Sequence, residues 1–335
     1  LHSEHITMRR VQWVAGAVAF AATLLQMQGT GTAATINFGS GANQFGMAFI
    51  AIGEAGNPAD TAGTPSPAGS VPYPYQIGKY EVSRDQVAKA NAAGSLGISL
   101  DSMSVVTGGA RTNMPATGIS WNEAARFVNW LNTSQGHPAA YKFADQPGDA
   151  GYNANANVLL WDPSDAGYNA ANPFRNTNAY YFLPNADEWY KAAYYNPTGG
   201  NYFLYPTGSN TAPTPVTNGT LNNTAVYSLL TKNGPADIDN AGGPSVYGTY
   251  AQGGNVYEWD ETDVDLVNDD PDAARGVRGG RWSFSTDYNL SSVNRYADSP
   301  ALEAGNVGFR VAAVPEPSSG LLALTGLLAL LRRRR

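Results

Sequence analysis

Few residues in this chain of 335 could carry chemistry, and they are widely spaced. There is no cysteine, which excludes disulfides, thiolate metal sites and thiol nucleophiles. Of three histidines, His2 and His5 lie at the start, and His137, in the segment GHPAAY, stands alone in the body. One histidine builds neither a three-histidine iron site nor a two-histidine-one-carboxylate site within one chain. A Ser-His-Asp relay would need His137 as its base, and no nucleophile-elbow sequence accompanies it. Its place before a proline, just past a helical stretch, suits a helix C-terminal contact instead. The acidic run DETDVDLVNDDPD (260–272) could pair carboxylates for glycoside hydrolysis, but such runs are ordinarily solvated loops, and that is the expectation here. The segment DAGYNA occurs twice, at 149–154 and 165–170. It reads as a small loop duplication, because a cation loop on Asp149, Asn153 and Asn155 would match only the start of EF-hand spacing.

The elements that must position these residues are short. The chain is 43% hydrophobic yet only 14% charged, with 37 glycines and 21 prolines. Abundant aromatic residues argue against disorder, so a loop-rich folded domain is expected. Three capping signatures mark helix starts: Ser83 with Gln86, Ser120 with Glu123, and Asn185 with Glu188. Behind the second, Ala124, Phe127, Val128 and Leu131 fall on one helical face. The third opens ADEWYKAAYY and stops at Asn196-Pro197. A strand is expected in YQIGKYEVS, and residues 140–180 and 197–250 read as long loops with isolated strands. Trp121, Trp130, Trp189, Trp259 and Trp282 are large enough to tie loops into a core.

Charge is unevenly placed. Setting aside Arg9, Arg10, Arg332 to Arg335 and the acids Glu4 and Glu316 leaves 14 basic against 25 acidic residues, a net −11. Such a body is repelled by nucleic acid and by anionic lipid and attracts divalent cations. Both ends read as addresses. Met8-Arg9-Arg10, the apolar VQWVAGAVAFAATLL and the small pair Ala33-Ala34 have the order of a signal peptide, so residues 1–34 are expected to be upstream residues and an export signal. At the other end, Ser318 to Leu331 would span about 21 Å as a helix, short of a hydrocarbon core of about 30 Å. Arg332 to Arg335 would stop it on the cytoplasmic side, giving transient membrane anchoring through the C-terminal helix. Pro315-Glu316-Pro317, the apolar stretch and the arginine cluster together resemble the PEP-CTERM sorting signal over 314–335. That resemblance implies an exosortase-type processing protease as partner and the surface of a Gram-negative-type bacterium as destination.

The remaining motifs occur in a telling order: YQIGKYEVSRDQ, MPATGISWNEAARFVNWLN, YFLPNADEWYKAAYY, GTYAQGGNVYEWDE, then RGVRGGRWSFS, NRYADSP and NVGFRVAA. Together they resemble the formylglycine-generating enzyme, or sulfatase-modifying factor, domain, placed here over 35–313. The resemblance implies a compact, irregular, loop-rich α+β fold related to C-type lectins. Within it, Arg278, Arg295 and Arg310 are expected to be structural, paired with acids such as Glu188 and Glu258.

In the aerobic enzymes of that family two cysteines follow the double glycine and bind copper(I). Those places fall at Phe284 and Asn289 here, and neither offers the soft ligand that cuprous ion needs. The iron-dependent branch needs histidines that this body lacks. Neither copper nor iron is therefore expected. The resemblance also implies structural calcium, held by Glu258 with the carbonyls of Gly254 and Val256, Ala251 standing where a side-chain oxygen is usual. A second set matches near Asn223, Thr224, Asp237 and Asp239. The expectation is a surface-sorted, non-catalytic binding protein for extracellular polysaccharide or another envelope component. An enzyme with an unrecognised site and a purely structural surface protein are the alternatives. Incubated with a Cys-x-Pro-x-Arg peptide, copper and oxygen, the protein is expected to produce no aldehyde by mass spectrometry. Protein-dependent formylglycine would contradict the reading.

Overall fold

A computed structural model describes residues 33–103, 111–229, 234–283 and 286–315. Residues 1–32 of the expected export segment, Phe284 and the sorting tail beyond Pro315 lie outside the described residues, while Ala34, from its expected cleavage pair, opens the first strand. Among those described, no helix is long and apolar enough to cross a membrane.

All three expected helices form, each with its reciprocal capping box: α1 (Arg84–Gly94), α2 (Trp121–Ser134) and α3 (Ala186–Tyr194). The cap side chain accepts an otherwise orphaned backbone N–H, while the Gln or Glu three residues on closes the reverse bond. A fourth helix, α4 (Asp287–Leu290), is a single turn that the sequence did not announce. In α2 the expected face is fully buried at Ala124, Phe127, Val128 and Leu131. Burying side chains such as Phe127, Val128 and Leu131 contributes about 1.5–3 kcal/mol each.

The strands are short and form two larger sheets beside two two-stranded pairs. One, entirely antiparallel, runs in the order Ala34–Phe38, Phe45–Ile52, Tyr75–Gly78, Ala312–Ala313 and Tyr181–Phe182. Both ends of the domain thus meet in one sheet. The other runs Tyr296–Asp298, Arg275–Arg278, Tyr257–Asp263 and Val307–Gly308, its last pairing parallel. The strand expected through Ser83 ends at Gly78. Residues 140–180, expected as a long loop with isolated strands, form the loop without any strand, only an isolated bridge between Lys142 and Leu159. This long loop is pinned by side chains: Asn132 Oδ1 accepts from the N–H of Tyr180 and Tyr181, and Asn129 exchanges two bonds with the Tyr141 backbone. The repeated DAGYNA makes the same turn twice, for the Asp149 and Asp165 carboxylates each accept the N–H three residues back. Asn153 is used locally, accepting from Asn155 N. His137 donates its backbone N–H to Asn132 O beyond α2, and its ring stacks on Tyr180 at 4.9 Å.

The expected solvated acidic loop is corrected at its start. Asp260, Glu261 and Asp263 belong to the strand Tyr257–Asp263 and, with Glu258, are at most 1% exposed. Each has an arginine partner. Arg310 reaches Glu258 at 2.5 Å, Arg295 grips Asp260 at 3.0 Å, Arg175 meets Glu261 at 2.7 Å, and Arg275 lies 3.6 Å from Asp263. Burial of these carboxylates follows from that pairing, since a lone buried charge costs several kcal/mol. The expected pairing of Arg310 with Glu258 forms, whereas Arg278 and Arg295 share Asp260. Glu188 goes to Arg175 instead. Trp121, Trp189 and Trp259 are fully buried among these groups, while Trp130 and Trp282 are only partly covered.

Removing one partner of such a pair strands the other. Arg310→Met is expected to cost about 3–5 kcal/mol in urea unfolding, and adding Glu258→Gln should recover part of it. Additive losses in the double variant would show that the pair is not coupled.

Candidate functional site

The segment after Arg278 is placed by two backbone approaches. Opposite the strand Tyr257–Asp263 the pairing shifts between Arg275 and Val277, a bulge at Gly276. A Cβ on Gly276 would lie 2.2 Å from Asp260 Oδ2 and 2.3 Å from an Arg295 nitrogen, so only glycine lets that ion pair close over the strand. Gly280, at φ +81°, turns the chain into the left-handed region, and a Cβ there would meet Leu290 Cδ1 at 2.6 Å. Leu290 belongs to α4, which therefore lies directly against the double glycine.

Asn289, one of the two expected degenerate positions, sits on α4 and has structural work. Its Oδ1 accepts from the Thr286 N–H at 2.8 Å, capping the helix, and its Nδ2 donates to the Tyr296 hydroxyl at 2.8 Å. Tyr296 meets Tyr257 edge-on at 5.6 Å. Tyr288 and Tyr296 are 55% and 45% exposed, so two phenol rings face solvent on either side of Asn289 in the sequence. Tyr205 donates to Asp287 at 3.0 Å, tying the loop after Tyr202 to α4. Neither ring was singled out by sequence reasoning, because an exposed tyrosine in a loop leaves no periodic mark.

The loop holding Pro65 and Pro67 is fastened to the same segment. Thr64 donates its backbone N–H to Ser292 O and its hydroxyl to Val293 O, and the Arg278 guanidinium donates to Thr64 O. On its other side this loop walls a cleft of about 240 Å³ with Asn172, Asn185, Asp187, Thr262 and Asn268. Burial raises the Asp187 carboxyl above the ordinary range, partly countered by the Gly69 N–H that it accepts at 2.7 Å. Asn172 and Asn268 are linked to each other and, through Asn172, to Glu261. The cleft offers amide and carboxylate groups suited to hydroxyls, with no cation on its walls among the described residues.

The expected calcium residues come together in part. Gly254, Val256 and Glu258 adjoin, but both oxygens of Glu258 are occupied, by Arg310 and by the Trp189 indole N–H at 2.7 Å. As arranged, that carboxylate does not fit an ion. Beside it lies Glu81, a buried acid accepting from Asn255 Nδ2 and Val256 N. Burial and the neighbouring Glu258 charge push the Glu81 carboxyl well above its usual range. Ala251 has φ +62° and packs in an apolar cluster with Val226 and Ala236.

The second set is also drawn together only in part. Thr224 O accepts from Gly243 N, which draws the Asn223–Thr224 strand end onto the loop bearing Asp237 and Asp239. Asn223 Oδ1 accepts from Thr207, Thr224 donates to Leu221 O, and Asp239 accepts from Asn113. Asp237 Oδ1 is 3.3 Å from Arg111 Nε but accepts no hydrogen bond. Among the described residues, no cluster of three or more Asp, Glu or His side chains converges on one point.

The comparisons agree with this architecture. No curated protein matches the chain. Among solved structures, Treponema denticola variable protein 1 superposes with a TM-score of 0.54 at 21% identity, covering 84% of this chain and 99% of its own. CarF superposes with a TM-score of 0.57 at 16% identity, over 81% of this chain and 99% of its own. At such identities the likeness shows the fold alone. The PEP-CTERM protein-sorting motif matches residues 313–335, marking an exported protein of a Gram-negative-type envelope recognised by exosortase-type sorting machinery. The model of the sulfatase-modifying factor enzyme 1-like domain matches residues 32–314, and with the fold in hand the chain belongs to that family.

Proposed function

We propose that this is a surface-delivered binding protein whose family site has lost its chemistry and presents a surface for extracellular polysaccharide. The observation that carries the reading is the segment 286–296. Where aerobic relatives need a pair of thiolates, this chain has no cysteine at all. Asn289 is instead spent on capping α4 and holding Tyr296, with Tyr288 and Tyr296 exposed. Tyrosine rings offer an apolar face to the C–H face of a sugar and a hydroxyl to its polar edge. The sorting motif supports the setting, since it directs the chain to the envelope, where a polysaccharide would be met.

Glycan-array binding tests it. Wild type should retain a polysaccharide, and Tyr288→Ala and Tyr296→Ala should each weaken binding about fivefold or more, the scale of losing an aromatic contact. No glycan retained would favour a purely structural surface protein. Turnover of a bound glycan would favour a hydrolase.

Structural calcium belongs to the same proposal, at the set of Asn223, Thr224, Asp237 and Asp239. An ion that binds only the folded state adds about 2.7 kcal/mol at a hundredfold excess over Kd. Tying these loops, millimolar calcium is expected to raise the melting temperature, and Asp237→Asn with Asp239→Asn should abolish the rise. Identical melting in calcium and in chelator would remove calcium from the proposal.

A further inference from the structure

The cleft beside the proline loop holds polar groups that the fold leaves unspent. Asn185 uses only its Oδ1, which accepts from Glu188 N to cap α3, and Asp187 uses only its Oδ1, which accepts from Gly69 N at 2.7 Å. Asn185 Nδ2 and Asp187 Oδ2 have no partner among the described residues, and neither is sealed from solvent. Thr262 Oγ1 accepts from Ala186 N at 2.9 Å, which leaves its hydroxyl proton to donate. A chain of bonds fixes the remaining amides: Asn268 donates to Asn172 at 2.8 Å, and Asn172 donates to Glu261, itself held by Arg175. Other walls are apolar, from Pro65, Pro67 and Leu266. Leu266 and its chain neighbours Val264 and Val267 are each about half exposed although large and apolar. Leu266 is held at φ +72°, a left-handed conformation that is costly for any residue with a Cβ.

Volume decides how much of a ligand fits. At about 240 Å³ the cleft exceeds the roughly 150 Å³ that takes a benzene-sized ring and falls below the roughly 300–1,000 Å³ of pockets for larger ligands. It has room for one hydroxylated six-membered ring, its C–H face on the prolines and Leu266 and its hydroxyls on amide and carboxylate. No cation lies on its walls among the described residues, so a ring bearing its own carboxylate would meet Asp187 as like charge. We infer that the cleft is a second binding site, for a single neutral pyranose, in which Asp187 Oδ2 accepts from one hydroxyl and Asn185 Nδ2 donates to another. The choice of a sugar among hydroxylated rings rests on the polysaccharide reading above, and the cleft adds its class, neutral and not uronic. Thr262 follows Tyr257 on one strand by about 17 Å, so the cleft is separate from the tyrosine surface that Tyr257 meets through Tyr296.

Methyl glycosides of glucose, galactose and mannose are the probes, titrated into the purified full chain by calorimetry, with the methyl glycoside of glucuronate as charged counterpart. At least one neutral glycoside should bind, and the glucuronate should bind about tenfold or more weaker. Asp187→Asn keeps an oxygen for Gly69 N and turns a donor into the cleft. It should weaken the neutral glycoside about tenfold, the scale of one charge-assisted hydrogen bond, and bring the glucuronate closer to it. Should that variant unfold, Leu266→Gly suits φ +72° and keeps the fold. It removes an apolar wall, and binding should fall about threefold or more. A neutral glycoside bound while the glycan array retains nothing keeps the cleft and removes the tyrosine surface. Array binding with no glycoside bound overturns the cleft alone. Glucuronate bound as tightly as the neutral glycoside, or affinity unchanged in a folded Asp187→Asn or in Leu266→Gly, overturns the inference as well.

Discussion

The rest of the structure depends on the strand Tyr257–Asp263, which takes four carboxylates into the interior and matches each with an arginine from a different part of the chain. Arg310 comes from the C-terminal end, Arg295 from beyond α4, Arg275 from the neighbouring strand and Arg175 from the long loop. In a fold with strands of two to eight residues, backbone ladders cannot fix the relative positions of distant loops. Buried ion pairs can, because they demand geometry as well as proximity. Arg175 shows this most clearly. It bonds Glu261 of the strand and Glu188 of α3 at once, and Glu188 also closes the capping box of that helix through Asn185 N. A helix start, a sheet and a loop without regular structure are thereby set against one another by one side chain.

The same constraint places the family site. Asp260 recruits Arg295 and Arg278, Arg278 holds Thr64 and Asn294, and Thr64 fastens the proline loop to Ser292 and Val293. The segment carrying Asn289 is therefore anchored at both flanks by buried arginines and backbone contacts. The framework of buried ion pairs does not run through Asn289, whose bonds are local to α4 and Tyr296. Asn289 adds to local order by capping α4, which a thiol in its place would do poorly.

Legibility followed the range of the interactions. The three long helices were readable because a capping box is complete within four residues, and the buried face of α2 repeats within a turn. The order of family motifs made the fold readable as a whole. Arg175, in contrast, sits in NPFRN with nothing nearby to mark it, and its partners lie 13 and 86 residues away. Composition alone pointed the wrong way for Asp260, Glu261 and Asp263. An acidic run signals solvent unless its counter-charges are known, and these arrive from residues 175, 275 and 295. The strand after Tyr75 was overextended because the alternation in YQIGKYEVS continues past Gly78, where Val82 N is taken by Phe309 O instead of a neighbouring strand.

A framework of paired charges also defines what an unpaired one means. Where Arg84, Arg175, Arg275, Arg295 and Arg310 each meet an acid, the cost of taking a cation out of water is offset inside the chain. Arg126 has two carbonyls, the Phe143 and Tyr152 side chains and the Asp145 charge beyond ion-pair distance, which orient a guanidinium and compensate it only in part. Carbonyl dipoles and ring quadrupoles stabilise a buried cation by less than a full opposite charge does. In this fold the long loop that brings Asp145, Tyr152 and Ala154 onto α2 is thus fastened through one buried cation.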